Sequence, residues 1–523
     1  MLSAQAFAAS YYVNFSTGNN SNAGTSSSAP WKHCPGDANA TGVPASKALV
    51  AGDTVYFNSG VTYYGEVILK WSGTSGNPIT YDGKTWGSGT RATIDGQNRK
   101  DGRGFDDTAT ARSNLVISGI RITNMGGYAE DDPIWSTTTA ISAPPGGAGI
   151  DLQGGGSNIL ITDCVFEELG QWQNIQPMSG TTSITGAGVT LQDNKNVTIL
   201  NCDFTRMKTG VTIKAQTIID GITIEGCTFH NYMNWLIDIA PRVAGATLRN
   251  ITIDGCTLYD YKEFDVPNWK GFGEKPHQDG IFLRTSGMAS TWENIVIKNT
   301  LFYSDQTSNG GTASIYLSQG ASADIYNCVF LNDNHSNANI NVGYTKMPGM
   351  TQTVRVWNCT FFGGSRALKV TPGNTNPDHI EVRNCIMYRT SPYDVVGINP
   401  PEIGTLIMDN NVFFGAHAGR AIHNGATYLD FESWKAYSEK DKMSTWADPG
   451  LARVSGDPST WDPRPASTAS PAVDIGADLS TFFGIDRDGQ LRSGKWDAGA
   501  HEYGASGGIT VPNTPTLNPT LTP

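Results

Sequence analysis

One short phrase recurs nine times between Ile159 and Asn411, and it constrains this chain more than any other feature. It is an aliphatic pair at alternate positions, then Asn, Gly or Asp, then usually Cys, one further residue, and usually Phe. It reads Ile159-Leu160-Ile161-Thr162-Asp163-Cys164-Val165-Phe166 in one copy and Val197-Thr198-Ile199-Leu200-Asn201-Cys202-Asp203-Phe204 in the next. It returns around Cys227, Cys256, Thr300, Cys328, Cys359, Cys385 and Asn411, at intervals of 25 to 44 residues. Self-similarity of this period marks a solenoid, in which one repeat is one coil that cannot bury its apolar face alone.

Parity within the phrase sets the shape of the coil. Val197 and Ile199 share one face of a strand, and so do Cys202 and Phe204, but the alternation slips by one residue between them. A bend must lie at the slip, where Asn201 and its equivalents Asp163, Gly226, Gly255, Asn299, Asn327, Asn358, Asn384 and Asn410 stand. These residue types adopt the left-handed conformation at low cost. A third short strand precedes each pair, as in Gly149-Ile150-Asp151-Leu152, Gly188-Val189-Thr190-Leu191 and Gly280-Ile281-Phe282-Leu283. Three short strands per coil with a tight Asn bend predict an all-β, single-stranded right-handed parallel β-helix. A propeller would need four strands in roughly 40 residues, and most of these repeats are shorter. Gly at 60 of 523 residues and charged residues at 16% also suit many short strands joined by turns.

Eight cysteines invite a disulfide reading. Seven of them occupy one equivalent position in successive repeats, which predicts a stack of buried thiols acting as small hydrophobes. Only Cys34 stands outside the ladder, and no Cys-x-x-Cys spacing suggests a metal.

The formal charge of −12 disfavours a nucleic-acid partner, which would require a basic surface. No stretch approaches the roughly 20 apolar residues of a spanning helix, so no membrane partner is expected. Residues 1–10 resemble the end of a secretory signal and 506–523 a Thr/Pro-rich linker to a carbohydrate-binding or anchoring module, with one solenoid domain over 11–505 between them. A secreted, extracellular monomer is the resulting expectation.

The bent strand pair with its Asn ladder resembles the pectate-lyase-like β-helix superfamily. The opening segment Tyr11-Tyr12-Val13 to Pro30-Trp31-Lys32 resembles the N-terminal coil of secreted members. The ending Ser470-Pro471-Ala472-Val473-Asp474, with Asp486-Arg487-Asp488-Gly489 and Trp496-Asp497-Ala498-Gly499, resembles their C-terminal closure. The superfamily hosts lyases, hydrolases, epimerases and adhesins, so the resemblance implies a fold and a carbohydrate setting rather than one reaction. It also implies a substrate groove along the first strand of each coil, walled by the loops that precede it.

Two such loops are long, 168–187 and 259–278, and carry Trp172 and Trp269 among other aromatics. Outward positions of the first strand stack as Asp151, Thr190, Thr212, Asp238, Phe282, Tyr316, Asn341 and Lys369. Two residues on, they stack as Gln153, Gln192, Lys214, Ala240, Arg284, Ser318 and Gly343. Lys214, Asp238, Arg242, Lys275, His277, Asp279 and Arg284 therefore fall on three consecutive coils. That set suits β-elimination on a uronic-acid glycan, which needs a base and a group that neutralises the substrate carboxylate. Lys214 or His277 would be the base, and Arg284 and Arg242 would contact the carboxylate. Asp238 and Asp279 would orient the cations. Lys275, Trp172, Trp269 and Tyr316 would bind the sugar chain. Asp151, Asp238 and Asp279 are candidates for calcium. The alternatives are an inverting glycoside hydrolase using Asp238 and Asp279, spaced for an acid and a base, and a non-catalytic carbohydrate-binding or adhesion solenoid.

Overall fold

The computed structural model describes residues 8–99, 102–126, 147–169, 186–259, 278–303, 311–331, 338–364, 366–370, 376–389, 395–415, 420–455 and 460–504. They fall into two compact units, one of residues up to 233 and one from 234 onward. In the first unit the aliphatic strands Leu115–Ser118, Ser157–Thr162, Lys195–Leu200 and Ile218–Glu225 pair in parallel, with Ile117, Ile161, Ile199 and Ile224 in register. In the second, Thr247–Asp254, Thr291–Lys298, Ala323–Tyr326, Thr353–Trp357, His379–Arg383 and Thr405–Asp409 do the same. Every coil adds one rung, and the aliphatic column inside is shut off from solvent.

All nine residues at the predicted bend have left-handed backbone, with φ between 47° and 60°. At two of the Asn bends the amide also links to the Asn of the bend before: Asn327 Nδ2 donates to Asn299 Oδ1 at 3.3 Å and Asn384 Nδ2 to Asn358 Oδ1 at 3.1 Å. The phenylalanines stack face to face within each unit. Ring centroids are 4.7 and 4.6 Å apart through Phe166, Phe204 and Phe229, and 4.7 and 4.6 Å through Phe302, Phe330 and Phe361. All eight cysteines are buried free thiols. The ladder thiols turn to main-chain oxygens, as Cys202 Sγ does to Leu200 O at 3.4 Å.

Three features go beyond the sequence pattern. A second Asn ladder opens several of the aliphatic strands: Asn158 Nδ2 donates to Asn114 Oδ1 at 3.2 Å and Asn294 Nδ2 to Asn250 Oδ1 at 2.9 Å, again from left-handed backbone. In two coils the third strand runs into the next first strand without a loop, as Asp203–Ala215 and Thr228–Pro241, turning at left-handed Arg206 and Asn231.

The third feature is the C-terminal segment, which closes the second unit from the side. Residues 470–503 lie along the outside of the Asn corner. Asn410 Nδ2 donates to Ile475 O, Asn384 Nδ2 to Ala477 O, Asn358 Nδ2 to Asp497 O and Asn327 Nδ2 to Ile485 O, at 2.8 to 3.0 Å. From this strap Leu479, Phe483 and Trp496 pack on Trp357 of the coils. The exposed end of the core is covered instead by the helix Phe431–Ser438. Asp430 caps it through Ser433 N at 2.8 Å, and its Phe431 ring lies 5.2 Å from Phe413. Among the described residues no helix is long and apolar enough to cross a membrane.

Candidate functional site

The outward columns of the first strand have the register read from the sequence. In the first unit Asp151, Thr190 and Thr212 are neighbours on successive rungs, and Gln192 stands beside Lys214. In the second unit Asp238, Phe282, Tyr316, Asn341 and Lys369 follow one another, and Arg284, Ser318 and Gly343 form the adjoining column.

The second unit brings Asp238 and Arg284 together. Arg284 Nε donates to Asp238 Oδ1 at 2.7 Å and Nη2 to Oδ2 at 2.8 Å, a two-pronged pair on a carboxylate that is only 3% exposed. Nη1 donates to Ser286 Oγ. Burial opposes the charge on the guanidinium, and the Asp238 carboxylate more than offsets that, so the arginine pKa rises. The guanidinium carbon lies 4.9 Å from the Trp235 ring centroid and 5.8 Å from that of Phe282, close enough for cation–π attraction. Those rings begin a row: Trp235 to Phe282 is 5.2 Å, Phe282 to Tyr316 5.1 Å and Tyr316 to Tyr344 6.2 Å between centroids. The Tyr316 hydroxyl is held protonated by burial, and by the adjacent Tyr344 and the Asp279 carboxylate.

Asp279 is buried at the start of its strand, and its Oδ1 accepts Ala313 N at 3.1 Å. Arg242 is exposed. Lys214 is half-buried in the first unit. Trp172, Trp269, Lys275 and His277 lie outside the described residues.

The first unit holds a cluster that the sequence pattern missed. Arg103 Nε donates to Asp151 Oδ2 at 2.6 Å and stands 3.8 Å from Asp106, the neighbour of Asp151 on the preceding rung. Gln153 Nε2 donates to both oxygens of Asp151 at 3.0 and 2.9 Å. Glu66 hydrogen-bonds Asp106. Burial first, and then that carboxylate, push the Glu66 pKa up to about 7. The coils of Glu66 and Arg103 precede the first Cys–Phe phrase, so no repeat register pointed to them.

Two of the three carboxylates suggested for calcium, Asp238 and Asp151, are committed elsewhere. Both oxygens of Asp238 face Arg284, and both of Asp151 face Gln153, with Arg103 also on Oδ2. Among the described residues no group of three His, Cys, Asp or Glu side chains is placed to hold a metal ion. The described residues do not fit a calcium site, and no chemistry is assigned to one.

Residues 58–259 match the family model of a right handed beta helix region. The chain folds as a right-handed parallel β-helix. Among solved structures this β-helix is similar to the GH136 lacto-N-biosidase of Eubacterium ramulus, at 11% identity and a TM-score of 0.50, over 84% of this chain and 68% of that one. Pectate lyase Pel9A is matched at 16% identity and a TM-score of 0.49, over 95% and 97% of the two chains. A rhamnogalacturonan lyase is matched at 17% and 0.44, over 72% and 87%. At these identities the likeness is one of fold. No curated protein matches the β-helix.

Proposed function

We propose that this β-helix is an extracellular polysaccharide-degrading protein, and that its second unit acts as a lyase on a uronic-acid glycan. The observation that supports this most is the Arg284–Asp238 pair set against the Trp235–Phe282–Tyr316–Tyr344 row on one sheet face. Aromatic faces suit the C–H faces of sugars laid along the coils. A uronate carboxylate matches the arginine fork in the way Asp238 does. In this reading the substrate exchanges for Asp238 on Arg284, and the carboxylate so neutralised acidifies the proton α to it. His277, which directly precedes the strand Gln278–Arg284, takes that proton. The bond from the β carbon to the glycosidic oxygen breaks, a C=C bond forms between the α and β carbons, and the leaving oxygen takes a proton from water. The test is incubation with pectin, alginate, other uronates and neutral glycans. Ultraviolet absorbance from unsaturated ends is expected with uronates. Reducing ends without that absorbance would overturn the lyase reading, and binding without any product would leave a carbohydrate-binding solenoid.

A second reading rests on Glu66. A carboxyl that keeps its proton to about pH 7 beside an Asp is equipped to protonate a glycosidic oxygen. If the chain hydrolyses a glycan through Glu66, kcat/KM falls as pH rises through about 7 and the acid loses its proton. Glu66→Gln abolishes this alkaline limb along with most of the activity. An unchanged pH profile in Glu66→Gln would remove Glu66 from the reaction.

A further inference from the structure

Asn341 is an anomaly on the candidate face. It points outward from the strand Ala338–Gly343, between Tyr316 and Lys369 on the neighbouring rungs. It is only 2% exposed, yet among the described residues its Oδ1 meets no hydrogen-bond donor. Outward positions of a sheet normally solvate their polar groups, and a buried acceptor without a donor is costly and rare. The Tyr316 ring lies across the next position of the same strand, Gly343. A Cβ there would stand 2.5 Å from the Tyr316 hydroxyl and 2.6 Å from its ring. Gly343 therefore lets the ring lie flat against the sheet beside Asn341. Tyr344 follows with left-handed backbone at φ 64°; the residue is 57% exposed, and its ring stacks at 6.2 Å on Tyr316. Left-handed backbone in a large aromatic residue is uncommon and costs energy. Here it carries a ring, paired with Tyr316, out to solvent.

Together these residues supply a stacking surface, an acceptor that needs a donor, and a cation on the rung beyond. We propose that Tyr316, Tyr344, Asn341 and Lys369 form a sugar-binding subsite that takes one acidic pyranose of the glycan chain. This inference rests on the polysaccharide reading above and deepens it. Tyr344, backed by Tyr316, holds the C–H face of the ring, Asn341 Oδ1 accepts a hydrogen bond from a sugar hydroxyl, and Lys369 faces the carboxylate. The subsite lies one rung and more beyond Phe282, so it binds a residue that flanks the one at Arg284 and does not itself react.

The test is calorimetric titration of the full chain with oligogalacturonate, oligoalginate and cello-oligosaccharide. Wild type is compared with Asn341→Leu, Gly343→Ala and Lys369→Met, each first checked for an unchanged melting temperature. Asn341→Leu removes the acceptor, and Gly343→Ala displaces the Tyr316 ring without touching Asn341. Each is expected to weaken binding of the acidic oligosaccharide at least 10-fold. Lys369→Met should do so for the acidic ligand and leave any neutral one unaffected. If wild type binds none of the three probes, the polysaccharide reading itself falls. If it binds and the Asn341 and Gly343 variants bind equally well, only the subsite is wrong. If Lys369→Met weakens no acidic ligand, the selectivity for an acidic sugar is overturned. Should either of the first two variants melt early, the other carries the comparison, with Asn341→Ser as the milder replacement.

Discussion

Arg492→Ala is expected to destabilise the second unit by about 3–5 kcal/mol, the usual cost of removing one partner from a buried ion pair. The Arg492 side chain, on the strap, is completely buried against the coils. Its guanidinium donates through Nη2 to Asn327 Oδ1 and to Gly499 O, both at 3.0 Å, and through Nη1 to the Glu502 carboxylate. It also lies 5.4 Å from the Trp496 ring centroid. Alanine leaves the half-buried Glu502 without its cation, Asn327 and Gly499 short of a donor, and a void beside Trp496. Arg492→Met fills the void and isolates the polar loss. Urea unfolding followed by tryptophan fluorescence should show a lower midpoint for both variants, larger for alanine. Limited proteolysis should release the strap before the coils. An unchanged midpoint together with an intact strap would show that Arg492 does not pin it.

Arg284→Ala is expected to lower kcat/KM on a uronate substrate by about 10²–10³, the range for losing one preorganised group that stabilises developing charge. The geometry makes the effect specific to the fork. Arg284→Lys keeps a cation but cannot donate twice in one plane, so it should recover only part of the loss. Asp238→Asn keeps the shape and removes the internal competitor for the fork. In the exchange proposed here it should lower KM rather than abolish turnover. If Arg284→Ala retained wild-type kcat/KM while folding normally, the carboxylate contact would have to lie elsewhere. The double variant Arg284→Ala/Asp238→Ala separates loss of function from the cost of stranding a buried Asp238 charge.

How much of this was legible in the sequence follows from what the repeat phrase indexes. Counting outward from each Cys placed Asp238, Phe282, Tyr316, Asn341 and Lys369 in one column and Arg284 in the next, because strand parity admits one answer once the bend is located. Parity says which rungs are adjacent but not which polar atoms meet, so the two-pronged Arg284–Asp238 bond needed the structure. Glu66 and Arg103 lie before the first phrase and had no register to be read against. The strap was legible as a closing segment, but not the contacts it makes. Its partners are separated by 65 to 165 residues, Asn410 with Ile475 and Asn327 with Arg492 among them, and no local pattern encodes such a distance. The second Asn ladder did leave a signal. Asn114, Asn158 and Asn196 each stand directly before an aliphatic strand core, a position that parity alone treats as an ordinary strand start.

The thiol column has a consequence for where such a chain can work. Disulfide exchange requires a thiolate that can reach a partner. Burial pushes the pKa of Cys34, Cys164, Cys202 and Cys359 well above that of a free thiol, and all eight cysteines are shut away from solvent. Once the coils have closed, an oxidant has no sulfur to attack and a reductant no bridge to cut. The closed fold is therefore indifferent to redox potential: oxidising and reducing surroundings meet the same folded molecule.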